Sequence, residues 1–260
     1  MKRREFIAAS CLAGLAPLGT AAAAEGSPKS SRKEYYELRL YRIATPEKQK
    51  LMQAFFAKAA IPAWNRLGIG PVGVFEFLQE QTPNLYVLLP HKSLESLATA
   101  NARLMADKQL LAAGKAVFDA PKSDPAYQRI ESSLMLAFDE MPKLEIPSKS
   151  NSRVFQLRTY ESHNQERARK KIEMFNAGGE IALFRRTGLP PVFFGETLAG
   201  AKLPNLTYML GFDDMEASKQ GWAAFLADPG WTKLKTDPQY KDTVSGITNI
   251  FLRPADCSQI

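Results

Sequence analysis

The chain has 260 residues, 45% of them hydrophobic and 23% charged, which is the composition of an ordinary globular protein. Its formal net charge of +7 comes partly from the first residues. Without Lys2, Arg3, Arg4 and Glu5 it falls to about +5 (7 − 3 + 1), and the other Lys and Arg are scattered among Asp and Glu. Two cysteines, Cys11 and Cys257, exclude a disulfide framework and a cysteine-based metal site.

Residues 1–24, MKRREFIAASCLAGLAPLGTAAAA, have a basic start, an apolar run and a small-residue end, the layout of an export signal cleaved near Ala24. Gly14, Pro17, Gly19 and Thr20 make the run too weakly apolar for a membrane anchor. Arg3 and Arg4 before Phe6 and Ile7 fit the twin-arginine pattern, with a plain Sec leader as the alternative. The mature chain is therefore expected in the periplasm or outside the cell, with 236 residues (260 − 24) and no membrane anchor. Residues 25–33, EGSPKSSRK, read as a disordered lead-in.

YYELRLYRI (35–43) alternates as a half-buried strand does. A helix opens at Thr45-Pro46 and carries Leu51, Phe55 and Ala59 on one face, with a kink or restart expected at Pro62. GIGPVG ends it, VFEFL and NLYVLL read as strands, 93–113 as an amphipathic helix, and SSLMLAF as a closing strand. The same order then returns. VFQLRTYES opens it again, with Tyr36, Leu38, Arg39 and Tyr41 falling on Phe155, Leu157, Arg158 and Tyr160 at a constant offset (155 − 36 = 119). Gly68 matches Gly188, PNL at 83–85 matches PNL at 204–206, and Asp124-Pro125 matches Asp237-Pro238. The chain thus holds two copies, 34–139 and 153–253, joined by a Pro-containing linker at 140–152 and followed by a tail at 254–260.

Each copy reads βαββαβ, which predicts an α+β fold of two tandem ferredoxin-like modules. One such sheet leaves a face uncovered, so the copies are expected to close on each other as a fused dimeric α/β barrel. YELRLY and FQLRTY at the copy starts, LPPVFFGETLAGAKLPNLTYMLGF at 189–212 and FLADPGW at 225–231 resemble the NIPSNAP family over 34–253. The likeness is looser in copy one, where FEF stands for GET and Leu110 for Trp231. It implies the barrel and the tandem arrangement, and it implies no particular reaction.

Strand alternation divides side chains between two faces. Tyr36, Leu38 and Leu40, with Phe155, Leu157 and Thr159, are expected toward the helices. Glu37, Arg39 and Tyr41, with Gln156, Arg158 and Tyr160, are then expected in the barrel interior, joined by Glu76 and Glu196. An enclosed space lined by Arg, Tyr and Glu suits a small polar or aromatic ligand; the same residues could equally form a structural ion-pair network. His91 and His163 read as surface or capping histidines. Trp222, Phe225 and Trp231 read as core or interface, and RARKK (167–171) as a solvated helix face rather than a nucleic-acid patch. No metal-ligand spacing, nucleophile elbow or dinucleotide fingerprint is present, so no cofactor, metal or nucleic-acid partner is expected. The reading is an exported protein that binds a small ligand or a protein partner through the barrel, with self-association as a further expectation. The alternative is a cofactor-independent monooxygenase or isomerase acting in the barrel cavity.

Overall fold

The computed structural model describes residues 32–260, so the expected leader and most of the lead-in lie outside the described residues. Lys33, the last residue of that lead-in, pairs with Asp139 at 2.6 Å.

Copy one begins with β1 (Tyr35–Arg42) and α1 (Pro46–Phe55). The Thr45 side chain accepts the Lys48 N–H, satisfying a donor that the helix start leaves free. A wider π turn over Phe56–Ala60 separates α1 from α2 (Ile61–Arg66). The irregularity expected at Pro62 therefore lies in the turn before it, because the proline ring crowds the preceding turn and supplies no N–H. Gly68, at φ +74°, ends α2, and Ile69 N–H returns to the Trp64 carbonyl. Gly188, at φ +82°, repeats this stop in copy two, so both glycines answer a left-handed requirement.

Next come β2 (Gly73–Phe77), β3 (Leu85–His91), α3 (Leu94–Met105), α4 (Lys108–Ala113), α5 (Lys115–Phe118) and β4 (Arg129–Ala137). The single helix expected over 93–113 is divided because Asp107 caps a new one, accepting from the Gln109 and Leu110 N–H groups. Copy two repeats the order with β5 (Val154–Glu161), α6 (Gln165–Phe175), α7 (Glu180–Arg186), β6 (Pro191–Ala199), β7 (Asn205–Phe212), α8 (Met215–Ala227), α9 (Pro229–Lys235) and β8 (Gly246–Pro254).

The strands close one barrel in the order β1-β3-β2-β8-β5-β7-β6-β4. Within each copy the order is that of a ferredoxin-like sheet. The copies join edge to edge, β4 on β6 and β2 on β8, both antiparallel. Closure pairs every strand on both sides, which removes the free edges that a lone copy would present.

The lumen is apolar. Tyr36, Leu38, Phe75, Met135, Phe155 and Phe193 belong to one buried cluster drawn from both copies. This reverses the expected faces: the Tyr36/Leu38/Leu40 and Phe155/Leu157/Thr159 rows point into the barrel. A closed barrel of this size must fill its interior with side chains sheltered from water, so its larger apolar residues go there. The segments that follow β4 and β8 cover one end. Leu144 packs on the lumen cluster, and Ile260 is buried within it. Glu145 N–H bonds to the Val192 carbonyl, and Gln259 N–H to the matching Val72 carbonyl, both at 2.9 Å. The tail and linker are thus the two symmetric halves of a floor.

Among the described residues no helix is long and apolar enough to cross a membrane, and no group of three His, Cys, Asp or Glu could hold a metal ion.

Candidate functional site

Above the packed floor the barrel opens into a cavity of about 510 Å³, within the roughly 300–1,000 Å³ typical of small-molecule sites. Its walls come from both copies because alternate residues of each strand point inward. Leu38, Leu40, Leu157 and Ile250 give it an apolar body. Thr159 and Thr207 share a hydrogen bond of 2.9 Å on its wall, and Thr248 and Ser133 add further hydroxyls. Tyr86 lines the same space, its phenol pushed up to about 12 by burial, so at neutral pH it is a neutral donor.

Two ion pairs stand at the rim. Arg42 Nε lies 2.7 Å from Glu131, and Lys202 Nζ lies 3.1 Å from Glu161 and donates to Thr248 Oγ1 at 2.9 Å. Lys202 reaches across from the β6–β7 hairpin with φ +62°. Asn205 holds that hairpin, donating to the Ala201 and Lys202 carbonyls and accepting from Thr197 Oγ1. The wall threonines were missed by reading alternation alone. Their trace in the sequence is Thr159, which stands where copy one has Leu40 (159 − 40 = 119).

The residues expected inside the barrel lie on its outer face. Glu37, Arg39 and Tyr41 sit between the copy-one sheet and its helices. Arg39 grips Glu37 through Nε and Nη2 at 2.7 and 2.8 Å, and its guanidinium lies 5.9 Å from the Trp64 ring on α2. Ser132 Oγ adds a third bond to Glu37. Tyr41 is buried against Phe56 and Tyr127. His91, expected at the surface, is also buried here, because β3 runs one residue past its apolar stretch and carries the ring inward. Its Nδ1 is 3.1 Å from Ser96 Oγ, and its Nε2 is 3.8 Å from Glu37. His163 is exposed, as expected.

In copy two, Arg158 lies 4.7 Å from the Trp222 ring and 5.4 Å from that of Tyr160, whose hydroxyl accepts from Tyr208 at 2.9 Å. Glu76 and Glu196 do not join these groups: Glu76 binds Gln53 and Arg253, and Glu196 is exposed on β6. Trp222, Phe225 and Trp231 pack in or against the copy-two core, as their spacing predicted. The RARKK stretch is a solvated face only in part: Arg169 is exposed, Arg167 and Lys170 are half-buried, Ala168 is buried, and Lys171 is buried and pairs with Glu180 at 2.7 Å.

The Glu37 network makes stability depend on acidity. Burial alone would raise this carboxyl, but the nearby His91 ring and the hydrogen bonds from Arg39 and Ser132 outweigh it and hold the group at about 2, against an ordinary 4.5. A depressed carboxyl stabilises the fold above its unfolded value, and that contribution disappears as pH falls through its folded value. Between pH 4.5 and 2, wild type is expected to lose about 3 kcal/mol more stability than Glu37→Gln. Denaturant melts across this window measure it, and parallel curves would refute the assignment.

A closed barrel assembled from two βαββαβ modules, with helices outside and an apolar lumen, defines a dimeric α/β-barrel protein in which one chain supplies both halves. The NIPSNAP family profile matches residues 36–139 and 155–259, and the chain belongs to that family. Among solved structures, a candidate monooxygenase from Fusobacterium nucleatum is similar at TM-score 0.56 and 10% identity, over 86% of this chain and 93% of that one. An anthrone oxidase-like protein aligns at TM-score 0.51 and 14% identity, over 87% and 93%. A NIPSNAP-like domain protein from Burkholderia xenovorans is 23% identical over 40% of this chain and 87% of its own, at TM-score 0.36. Likeness at these identities establishes the fold alone. No curated protein is significantly similar in sequence.

Proposed function

We propose that the protein binds a small, partly apolar molecule in the open end of its barrel. The observation behind this reading is the division of the lumen. One end is packed to exclusion, while the other leaves about 510 Å³ lined by leucines and hydroxyls. An apolar body would rest on Leu38, Leu157 and Ile250, with its polar groups meeting Thr159, Thr207, Thr248 or Tyr86. In this reading the site works outside the cytoplasm, as the layout of residues 1–24 implies.

The monooxygenase or isomerase alternative needs tyrosine and arginine side chains inside the barrel to polarise an aromatic or enolisable substrate. Arg39 and Arg158 instead lie against Trp64 and Trp222 of the helices, which favours binding over that chemistry.

Native mass spectrometry of protein purified from its own host tests the proposal. Wild type is expected to carry a stoichiometric small-molecule adduct, and Ile250→Trp, which fills the cavity, is expected to lose it. A bare wild-type protein, or an adduct held equally by the filled variant, would overturn the assignment.

A further inference from the structure

The internal repeat provides its own control for one buried charge. In copy one, Arg39 is neutralised by Glu37, two residues earlier on the same strand face, and Ser132 on β4 steadies the carboxylate. The β-ladders make the matching set unambiguous: Arg39 stands opposite Ser132 as Arg158 stands opposite Asn249. Copy two therefore has Arg158, Gln156 and Asn249 where copy one has Arg39, Glu37 and Ser132.

Gln156 brings no charge. Its amide is committed elsewhere, accepting from Trp222 Nε1 at 2.6 Å and donating to Asn249 Oδ1 at 2.8 Å. Among the described residues no carboxylate lies within salt-bridge distance of Arg158, and its Nε is buried without a hydrogen-bond partner. The guanidinium lies 4.7 Å from the Trp222 ring and 5.4 Å from the Tyr160 ring. The Tyr160 and Tyr208 hydroxyls, already bonded to each other, also lie beside it and bring no carboxylate charge. Arg158 itself is half-buried, and on the neighbouring strand Asn249 and Ile247 are exposed, so the guanidinium can be approached along the outer face of β8. A guanidinium held by aromatic faces and lacking its anion is a preorganised partner for a planar carboxylate.

We propose that the Arg158 guanidinium is a binding site for a small carboxylate, which takes in copy two the place that Glu37 fills in copy one. The site lies outside the barrel wall and is independent of the mouth cavity.

The test uses benzoate, titrated at constant ionic strength against chloride, into full-length protein carrying Ile250→Trp so that the mouth is filled. The Trp222 indole N–H resonance, which reports on the Gln156 bond, is expected to shift saturably. Arg158→Met strands no carboxylate and is expected to fold while binding benzoate roughly tenfold or more weakly. Gln156→Glu supplies the missing carboxylate internally, so it is expected to raise the melting temperature and abolish the benzoate response. An unshifted resonance, a response that survives Arg158→Met, or a Gln156→Glu protein that melts lower than its parent would each overturn the proposal.

Discussion

Lys171→Met alone is expected to destabilise the protein by about 3–5 kcal/mol, because it strands a carboxylate that water cannot reach. Glu180 is 2% exposed and Lys171 is 4% exposed, and the pair bridges α6 and α7 at 2.7 Å. The Lys171 ammonium also lies 4.5 Å from the Phe175 ring and 5.6 Å from that of Tyr160, so aromatic faces complete its surroundings. Burial raises the Glu180 carboxyl even with the lysine present. Removing the lysine raises it further. A carboxyl whose folded value lies above its unfolded one stabilises at low pH and loses that contribution as pH rises, so the deficit should be largest at neutral and alkaline pH. Copy one carries Met52 at the position of Lys171 (171 − 52 = 119) and packs it fully buried. The double variant Lys171→Met/Glu180→Met is therefore expected to recover most of the loss. Denaturant melts of the single and double variants decide it, and a single variant with wild-type stability at neutral pH would refute the buried-pair account.

Separating the copies should have a still larger effect. Residues 34–152 or 153–260 expressed alone would expose one face of the lumen, including Phe75 and Met135 in one case and Phe155 and Phe193 in the other. Each would also free two strands for pairing, β2 and β4 or β6 and β8. Such a half is expected to dimerise or aggregate, since the edges and the apolar face have no other cover. Size-exclusion chromatography with light scattering measures this. A folded, well-behaved monomer would contradict the fused barrel.

Much of the architecture was legible in the residues themselves. The 119-residue offset between YELRLY and FQLRTY, the helix stops at Gly68 and Gly188 and the period-2 strands depend on local chemistry that a linear sequence carries. Those signals determined two βαββαβ copies and their closure into one barrel. They could not determine which row of each strand faced the lumen. Alternation divides residues into two sets without saying which set faces which partner, and here both sides of the sheet are covered. The apolar row of Tyr36 and Leu38 went inward because the closed lumen excludes water. The Arg39 and Arg158 row was tolerated outside because helix tryptophans meet the guanidinium faces. Burial of His91 and Lys171 likewise depended on what tertiary contact brought to them, Glu37 and Ser96 for one and Glu180 for the other. The mouth cavity is the space left between strands of both copies, so only the closed three-dimensional barrel could decide where it lies and what lines it.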